Sequence, residues 1–318
     1  IDGSPGGSAR SVSVGDIDGD GDLDISLTTY SSSNFYWYEN NGSQSFTRRT
    51  ISTDNNLFPV LIDLDEDGDF DFVSHINDGS NKIAWYENDG SENFTQNIIA
   101  NDYGAQLAVA DLDEDGDYDV IGADYTNGHI NWYENNGSES FTKNTIDNSD
   151  MTNAWDIKVG DVDGDGDLDV VGMASTNNST ADDKIVLYKN NGSEAFTEFV
   201  VDDDLNRPYK FRMTDIDNDG DLDMMVGSRD EDKVIWYENV DGGYILGLSL
   251  SGTPSGAETV TVSPASSAIF DVAGNAASTS QSNNTGTLND QLGPTMTITA
   301  VDGSSNAVSD GSTTNDAT

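Results

Sequence analysis

Asp16-Ile17-Asp18-Gly19-Asp20-Gly21-Asp22-Leu23-Asp24 is a nine-residue run whose first, third, fifth, seventh and ninth residues are all aspartate. The pattern D-x-D-x-D-G-D-x-D restarts at Asp63, Asp111, Asp161 and Asp215. Two carboxylates about 4 Å apart repel by about 4 kcal/mol at an effective dielectric of 20, so five in one tight loop require a counter-charge. An all-oxygen donor set without Cys or His suits calcium, which accepts six to eight oxygens in flexible geometry, better than zinc or copper. The expected donors are Asp16, Asp18, Asp20, Asp22 and Asp24, then Asp63, Asp65, Asp67, Asp69 and Asp71. In the later loops they are Asp111, Asp113, Asp115, Asp117 and Asp119, then Asp161, Asp163, Asp165, Asp167 and Asp169, then Asp215, Asp217, Asp219, Asp221 and Asp223. The expectation is about one Ca2+ per repeat. Positions one, three, five and nine would donate side-chain oxygens, and position seven its backbone carbonyl. The glycines at position six, Gly21, Gly68, Gly116, Gly166 and Gly220, are expected where the chain turns sharply and a Cβ would clash.

An EF-hand needs a bidentate Glu at the twelfth position. Here that position holds Leu27, Ser74, Gly122, Gly172 and Val226, which rules the EF-hand out. The bland alternative is a set of solvated acidic turns, and five repetitions at fixed internal spacing argue against it.

The loop starts are 47, 48, 50 and 54 residues apart, a period that marks a repeat architecture. Each loop lies between short apolar runs, such as Val60-Leu61-Ile62 before the second and Asp119-Val120-Ile121-Gly122 closing the third. An aromatic stretch follows: Trp37-Tyr38-Glu39-Asn40, Trp85-Tyr86-Glu87-Asn88, Trp132-Tyr133-Glu134-Asn135, Leu187-Tyr188-Lys189-Asn190 and Trp236-Tyr237-Glu238-Asn239. Phe46, Phe94, Phe141 and Phe196 each open a Phe-Thr run six residues after the Asn of the first four stretches. These runs are short, β-branched or aromatic, and bounded by Gly, Asn and Asp, so they read as strands. Asn41-Gly42, Asp89-Gly90, Asn136-Gly137 and Asn191-Gly192 predict two-residue hairpins. Four antiparallel strands per repeat, repeated radially, make the blades of a β-propeller. The fold class is therefore all-β.

The loop together with W-Y-E-N-N-G resembles the FG-GAP/VCBS type of repeat of integrin-like β-propellers, over about residues 1–245. The resemblance implies calcium in each inter-strand loop on one rim, in a secreted or surface-exposed protein. Such propellers most often have seven blades, whereas five loops are visible. The fifth repeat lacks a Phe-Thr run and continues as Asp241-Gly242-Gly243-Tyr244-Ile245-Leu246. An N-terminal strand around Ile1-Asp2 is therefore expected to complete the fifth blade and close a five-bladed ring, ahead of an excerpt from a seven-bladed one.

Three segments are expected: a propeller over 1–246, a partial Ig-like β segment over 247–292, and the opening strands of a further Ig-like repeat over 293–318. Residues 247–318 hold no Lys, Arg, Trp or His and are about a third Ser and Thr. Alternation in Glu258-Thr259-Val260-Thr261-Val262 and Met296-Thr297-Ile298-Thr299 argues for strands rather than low complexity. Phe270-Asp271-Val272-Ala273-Gly274-Asn275 and Gly293-Pro294-Thr295-Met296-Thr297-Ile298-Thr299-Ala300 resemble strands of bacterial Ig-like repeats.

The 318 residues carry 59 acidic and 13 basic side chains, a formal charge of -46, and no Cys. Such a field repels nucleic acid and anionic membrane. There is neither disulfide framework nor thiol chemistry. No apolar run reaches the 18 residues of a spanning helix. The start at Ile1, without a leader, fits a processed or excerpted chain.

Catalysis finds little support. His75 and His129 do not repeat across the blades, and carboxylates that recur in every blade read as ligands rather than as a glycosidase pair. The Trp-Tyr strands admit sugar stacking or packing between blades, with packing favoured. Of the N-x-S/T sequons, Asn41, Asn136 and Asn191 are accounted for by turn chemistry, while Asn93 and Asn177 or Asn178 are the better glycan candidates; Asn283 begins another. The function expected is a non-enzymatic, calcium-stabilised extracellular propeller module of a cell-surface adhesive or filament-forming protein. Its partners would be other protein chains, with self-association through the C-terminal strands, and glycans. A carbohydrate-binding propeller is the alternative, and a polysaccharide-active enzyme the third reading.

Overall fold

In the computed structural model the described residues exclude 1–5, 31–32, 80, 103, 148–150, 177–182, 230–232, 241–243, 252–257, 262–284, 289–299, 302–306 and 309–318. Beyond residue 239 only the backbone is described. Among the described residues there is no helix, and five four-stranded antiparallel sheets follow one another as meanders, the blades of a β-propeller.

The first blade is β1 (Ala9–Gly15), β2 (Asp24–Thr29), β3 (Phe35–Asn40) and β4 (Phe46–Ser52). The second is β5 (Asn56–Ile62), β6 (Asp71–Ile76), β7 (Lys82–Asn88) and β8 (Phe94–Ala100). The third is β9 (Leu107–Ala110), β10 (Asp119–Asp124), β11 (His129–Asn135) and β12 (Phe141–Asp147). The fourth is β13 (Ala154–Gly160), β14 (Asp169–Ala174), β15 (Lys184–Lys189) and β16 (Thr197–Asp202). The fifth is β17 (Pro208–Thr214), β18 (Asp223–Ser228), β19 (Lys233–Val240) and β20 (Tyr244–Ser251). The chain divides into two compact units, residues 1–161 with 166–204, and 162–165 with 205–318.

The strand β20 corrects the expectation that an N-terminal strand completes the fifth blade. It pairs along β19 from Val240↔Tyr244 to Lys233↔Ser251, so that blade takes its outermost strand from the residues that directly follow. The sequence there has the spacing of a strand: Leu246, Leu248 and Leu250 alternate with Gly247, Ser249 and Ser251 at a two-residue period. Ile1-Asp2 lies outside the described residues.

Within the first unit the opening strands β1, β5, β9 and β13 neighbour one another, and each pair of successive blades encloses an apolar layer. The layer between the first two blades joins Ile17, Phe35 and Trp37 to Phe72 and Tyr86. Phe35 meets Phe72 edge to face at 4.9 Å and Tyr86 at 5.8 Å. Such pairs add about 0.5–1.5 kcal/mol each beyond the area they bury. The next layer sets Val73, Ile83 and Trp85 against Leu107, Val120 and Tyr133. The second strand of each middle blade is covered on both faces, and β6, β10 and β14 are buried at all six positions. That explains why these strands read as continuous apolar runs rather than alternating ones.

Beyond the fifth blade, β21 (Glu258–Thr261) pairs with β22 (Thr285–Leu288), and β23 (Ala300–Val301) with β24 (Ala307–Val308). Residues 270–275 and 293–299, read as Ig-like, lie outside the described residues, as do the sequons at Asn177, Asn178 and Asn283.

Candidate metal centre

Each aspartate loop joins the first strand of its blade to the second, and its carboxylates are held by the loop's own backbone. The position-one carboxylate accepts the position-six amide in every loop: Gly21 N to Asp16, Gly68 N to Asp63, Gly116 N to Asp111, Gly166 N to Asp161 and Gly220 N to Asp215, all at 3.0–3.1 Å. Position three accepts the amide of position five, as Asp18 does from Asp20 N at 3.2 Å. Position five accepts the amide of position seven, as Asp67 does from Asp69 N at 3.0 Å. These bonds coil the chain around its own carboxylates and bring the oxygens to one place. Asp16, Asp18 and Asp24 offer oxygens within 4.8 Å of one another, as do Asp63, Asp65 and Asp71, and Asp111, Asp113 and Asp115. Asp161, Asp163 and Asp169 repeat the grouping.

The glycine at position six is needed for a different reason from the one expected. An added Cβ at Gly21, Gly68, Gly116, Gly166 or Gly220 meets no other protein atom within 4 Å. Their φ angles of 94–107° are the constraint, because side-chain-bearing residues rarely adopt that backbone. Position four is also left-handed, and it is filled by Glu66, Glu114 and Asn218 as well as by Gly19 and Gly164.

The hairpin turns are longer than two residues. Asn40 pairs with Phe46, Asn88 with Phe94 and Asn135 with Phe141, which leaves five residues between strands. The first turn residue closes the connection through its side chain: Asn41 Oδ1 accepts Ser43 N at 3.0 Å, and Asp89 Oδ1 accepts Ser91 N at 2.8 Å. The following glycine lies under the position-seven aspartate of the same blade. A Cβ on Gly42, Gly90 or Gly137 would sit 2.4 Å from Asp22, Asp69 or Asp117 Oδ2. Position seven therefore turns its side chain onto the hairpin.

Position nine has a task that the spacing does not announce. Asp24 is buried and accepts Ile17 N at 3.0 Å on one oxygen and Asn40 N at 2.7 Å on the other. Asp71 accepts Leu64 N and Asn88 N, and Trp85 Nε1 at 2.9 Å; Asp119 and Asp223 repeat the two backbone contacts. It ties the loop to the Asn that ends the aromatic strand. That Asn in turn crosses between blades: Asn88 Nδ2 donates to Phe70 O of its own loop and to Ile17 O of the preceding one, at 3.3 and 3.0 Å.

Crowding and burial work against ionisation. Burial, more than neighbouring carboxylates, raises Asp18, Asp65, Asp113 and Asp217 above the usual carboxylate range. It pushes Asp71 and Asp119 up to about 7, against the backbone donors that favour their charged form. One oxygen in each of three loops, Asp16 Oδ1, Asp63 Oδ1 and Asp111 Oδ1, is buried without a hydrogen-bond donor. A buried carboxylate oxygen without a donor, inside an all-oxygen cluster, fits a hard cation. The further trio Asp18, Glu39 and Glu92 has a cation of its own, since Arg49 bridges Glu39 at 2.7 Å and Glu92 at 2.6 Å.

The remaining candidates lie elsewhere. His75 is fully buried in β6, where burial lowers its pKa to about 4 and keeps it neutral. Trp37, Trp85 and Trp132, with Tyr38, Tyr86, Tyr133 and Tyr188, are buried in or beside the layers between blades. In the first unit Trp85, Trp132, Tyr86, Tyr133 and Tyr188 thus take the packing role between blades. No helix among the described residues is long and apolar enough to cross a membrane.

Residues 16–74, 63–122 and 111–172 match the family described as FG-GAP-like repeat. No curated protein matches the sequence. Among solved structures, an Agrocybe aegerita lectin, described as recognising non-reducing terminal N-acetylglucosamine, is 17% identical with TM-score 0.42, over 80% of each chain. A Bombyx mori family-32 beta-fructofuranosidase is 12% identical with TM-score 0.41, over 81% of this chain and 63% of its own. A thermostable family-43 glycoside hydrolase is 12% identical with TM-score 0.41, over 80% of this chain and 94% of its own. The chain is thus a β-propeller that carries FG-GAP-like repeats.

Proposed function

We propose that this chain is a non-enzymatic, calcium-stabilised propeller module of an extracellular adhesive or filament-forming protein. The observation that carries the reading is the donor-less buried oxygen of Asp16, Asp63 and Asp111, each within a cluster of carboxylates. Positions one, three, five and nine would hold the ion through side chains and position seven through its carbonyl. Bound there, calcium supplies positive charge that offsets the repulsion between carboxylates and pins the loop to its blade. The recurrence of one acidic constellation in every blade supports architecture rather than chemistry, since a reacting centre is built once. Extracellular placement rests on the weak affinity of such modules, about 10⁻⁴ to 10⁻³ M, which suits calcium levels outside cells. Protein partners would pair with the strands after the fifth blade.

The test is thermal unfolding with and without a chelator. At a tenfold excess of ion over its dissociation constant each site contributes about 1.4 kcal/mol, or about 7 kcal/mol for five. For a domain of about 240 residues, about 2–4 °C per kcal/mol gives a fall of about 14–28 °C in excess EGTA, reversed by added calcium. A melting curve that does not respond to the chelator refutes the metal reading.

A further inference from the structure

Each opening strand of the first unit has a backbone irregularity at the same place, and the residue there differs from blade to blade. In the first blade Ala9 pairs with Thr29 and Ser11 with Thr28, which leaves Arg10 as an extra residue. In the second, Leu57 pairs with His75 and Val60 with Val73, and Phe58 has a φ of +48°. In the third, Ala123 accepts Ala105 N and donates to Gln106 O, so two residues again oppose one. In the fourth, Ala154 pairs with Ala174 and Asp156 with Met173, which leaves Trp155. A bulge re-aims a side chain, and bulges gather beside binding sites. The left-handed backbone of Phe58 is unfavourable for such a residue, and strain of this kind is kept where a site needs it. The loop aspartates are the same in every blade, whereas the bulge holds Arg, Phe, Gln and Trp in turn. Shared residues build the scaffold; residues that differ on it can select a ligand.

These side chains converge. The Arg10 guanidinium lies 4.8 Å from the Phe58 ring and 5.0 Å from the Tyr30 ring. Phe58 meets Trp155 edge to face at 6.1 Å, and Tyr125 meets Trp155 in the same way at 6.1 Å. All four blades of the first unit thus contribute to one cluster, at the end of the opening strands away from the aspartate loops. Tyr30 is 66% exposed, and the other four are half-buried. Gln106 stands at the entry to β9, which neighbours both β5 and β13. It is 7% exposed, and its Nε2 is buried without an acceptor. A buried donor of this kind calls for a partner.

We propose that this cluster of bulge residues, Arg10, Phe58, Gln106 and Trp155 with Tyr30 and Tyr125, binds a neutral saccharide. The rings offer flat apolar faces to the C–H faces of a sugar, and the Gln106 amide and the tyrosine hydroxyls suit its hydroxyl groups. Charge narrows the class. The formal charge of -46 opposes an anionic sugar. Arg10, already seated between two rings, opposes a cationic one. The site goes beyond the calcium reading and does not rest on it, since the aspartate loops lie at the other end of these strands. Nor does it use the Trp-Tyr strands, whose rings are packed between blades.

The test is an array of neutral, anionic and cationic glycans probed with the labelled chain, after a melting curve has shown that it is folded. Neutral glycans should be bound and charged ones not. Calorimetric titration of a bound glycan should then show at least tenfold weaker binding for Trp155→Ala and for Gln106→Leu. Hydrogen exchange on the unaltered chain needs no variant: the glycan should slow exchange in peptides spanning Phe58 and Trp155 and leave the hairpin at Gly90 unchanged. A folded chain that binds no neutral glycan overturns the proposal, whether or not a chelator lowers its melting temperature, so the two readings fail separately. Binding confined to charged glycans overturns it as well. So do protection that falls elsewhere and a folded variant that binds as tightly as the parent.

Discussion

Gly137 and Asp117 offer a double-mutant cycle that isolates one contact between loop and hairpin. A Cβ on Gly137 would stand 2.4 Å from Asp117 Oδ2, and the backbone there has φ +68°. Gly137→Ala therefore carries two costs. The left-handed backbone costs about 1–2 kcal/mol for a residue with a Cβ. Displacing the carboxylate adds a second term, of about 0.5–3 kcal/mol, the range for residues in contact. In an Asp117→Ala background the second term vanishes and only the backbone term remains. Urea unfolding in saturating calcium should give about 1.5–5 kcal/mol for Gly137→Ala alone, and about 1–2 kcal/mol when it is added to Asp117→Ala. The cycle also tests how position seven would serve the ion. If it donates its backbone carbonyl, Asp117→Ala should leave calcium affinity at the third loop within about threefold of the parent. Additive energies would refute the steric contact, and a loss of affinity above about tenfold would show that the Asp117 side chain is a ligand.

Other measurements probe the same scaffold. In excess EGTA, stability should fall as pH rises from about 4 to about 7, because Asp71 and Asp119 hold their protons more tightly folded than unfolded; with calcium bound, which needs the ionised carboxylates, the slope should reverse. Urea titrations across that range check the sign, and parallel slopes with and without metal would contradict it. Asn88→Ala removes donors from two carbonyls, Ile17 O and Phe70 O, and should cost about 1–3 kcal/mol. Asn40→Ala, which gives up a bond to Leu23 O at an exposed site, should cost less in the same titration. Trp85→Phe should cost about 1–2 kcal/mol through loss of the indole bond to Asp71, and destabilise little further, because the ring position is kept.

The blades are legible in the sequence because they repeat, and repetition separates a rule from an accident. Trp37, Trp85 and Trp132 announce one strand at one place in each blade, and their burial between blades follows from that recurrence. Less legible is anything that depends on a contact across the chain. Asp24 and Asp71 look like two more ligands in an acidic run, yet both are buried and accept the amides of Asn40 and Asn88, 16 and 17 residues away. The Asn-Gly pairs suggest two-residue hairpins because the local code is strong. The longer turn forms instead because the Asn side chain closes it and an aspartate from the loop occupies the space above the glycine. Position six shows its glycine in every repeat but not the cause, a backbone conformation that residues with a Cβ rarely adopt. The W-Y-E-N stretch holds the missing signal. Its Asn recurs in all five repeats, including the fourth, where Leu187 replaces Trp. A polar residue kept while its aromatic neighbour varies has a task of its own, and the structure gives it one: the main-chain carbonyls of two different loops, which makes an acidic loop part of another blade as well as its own.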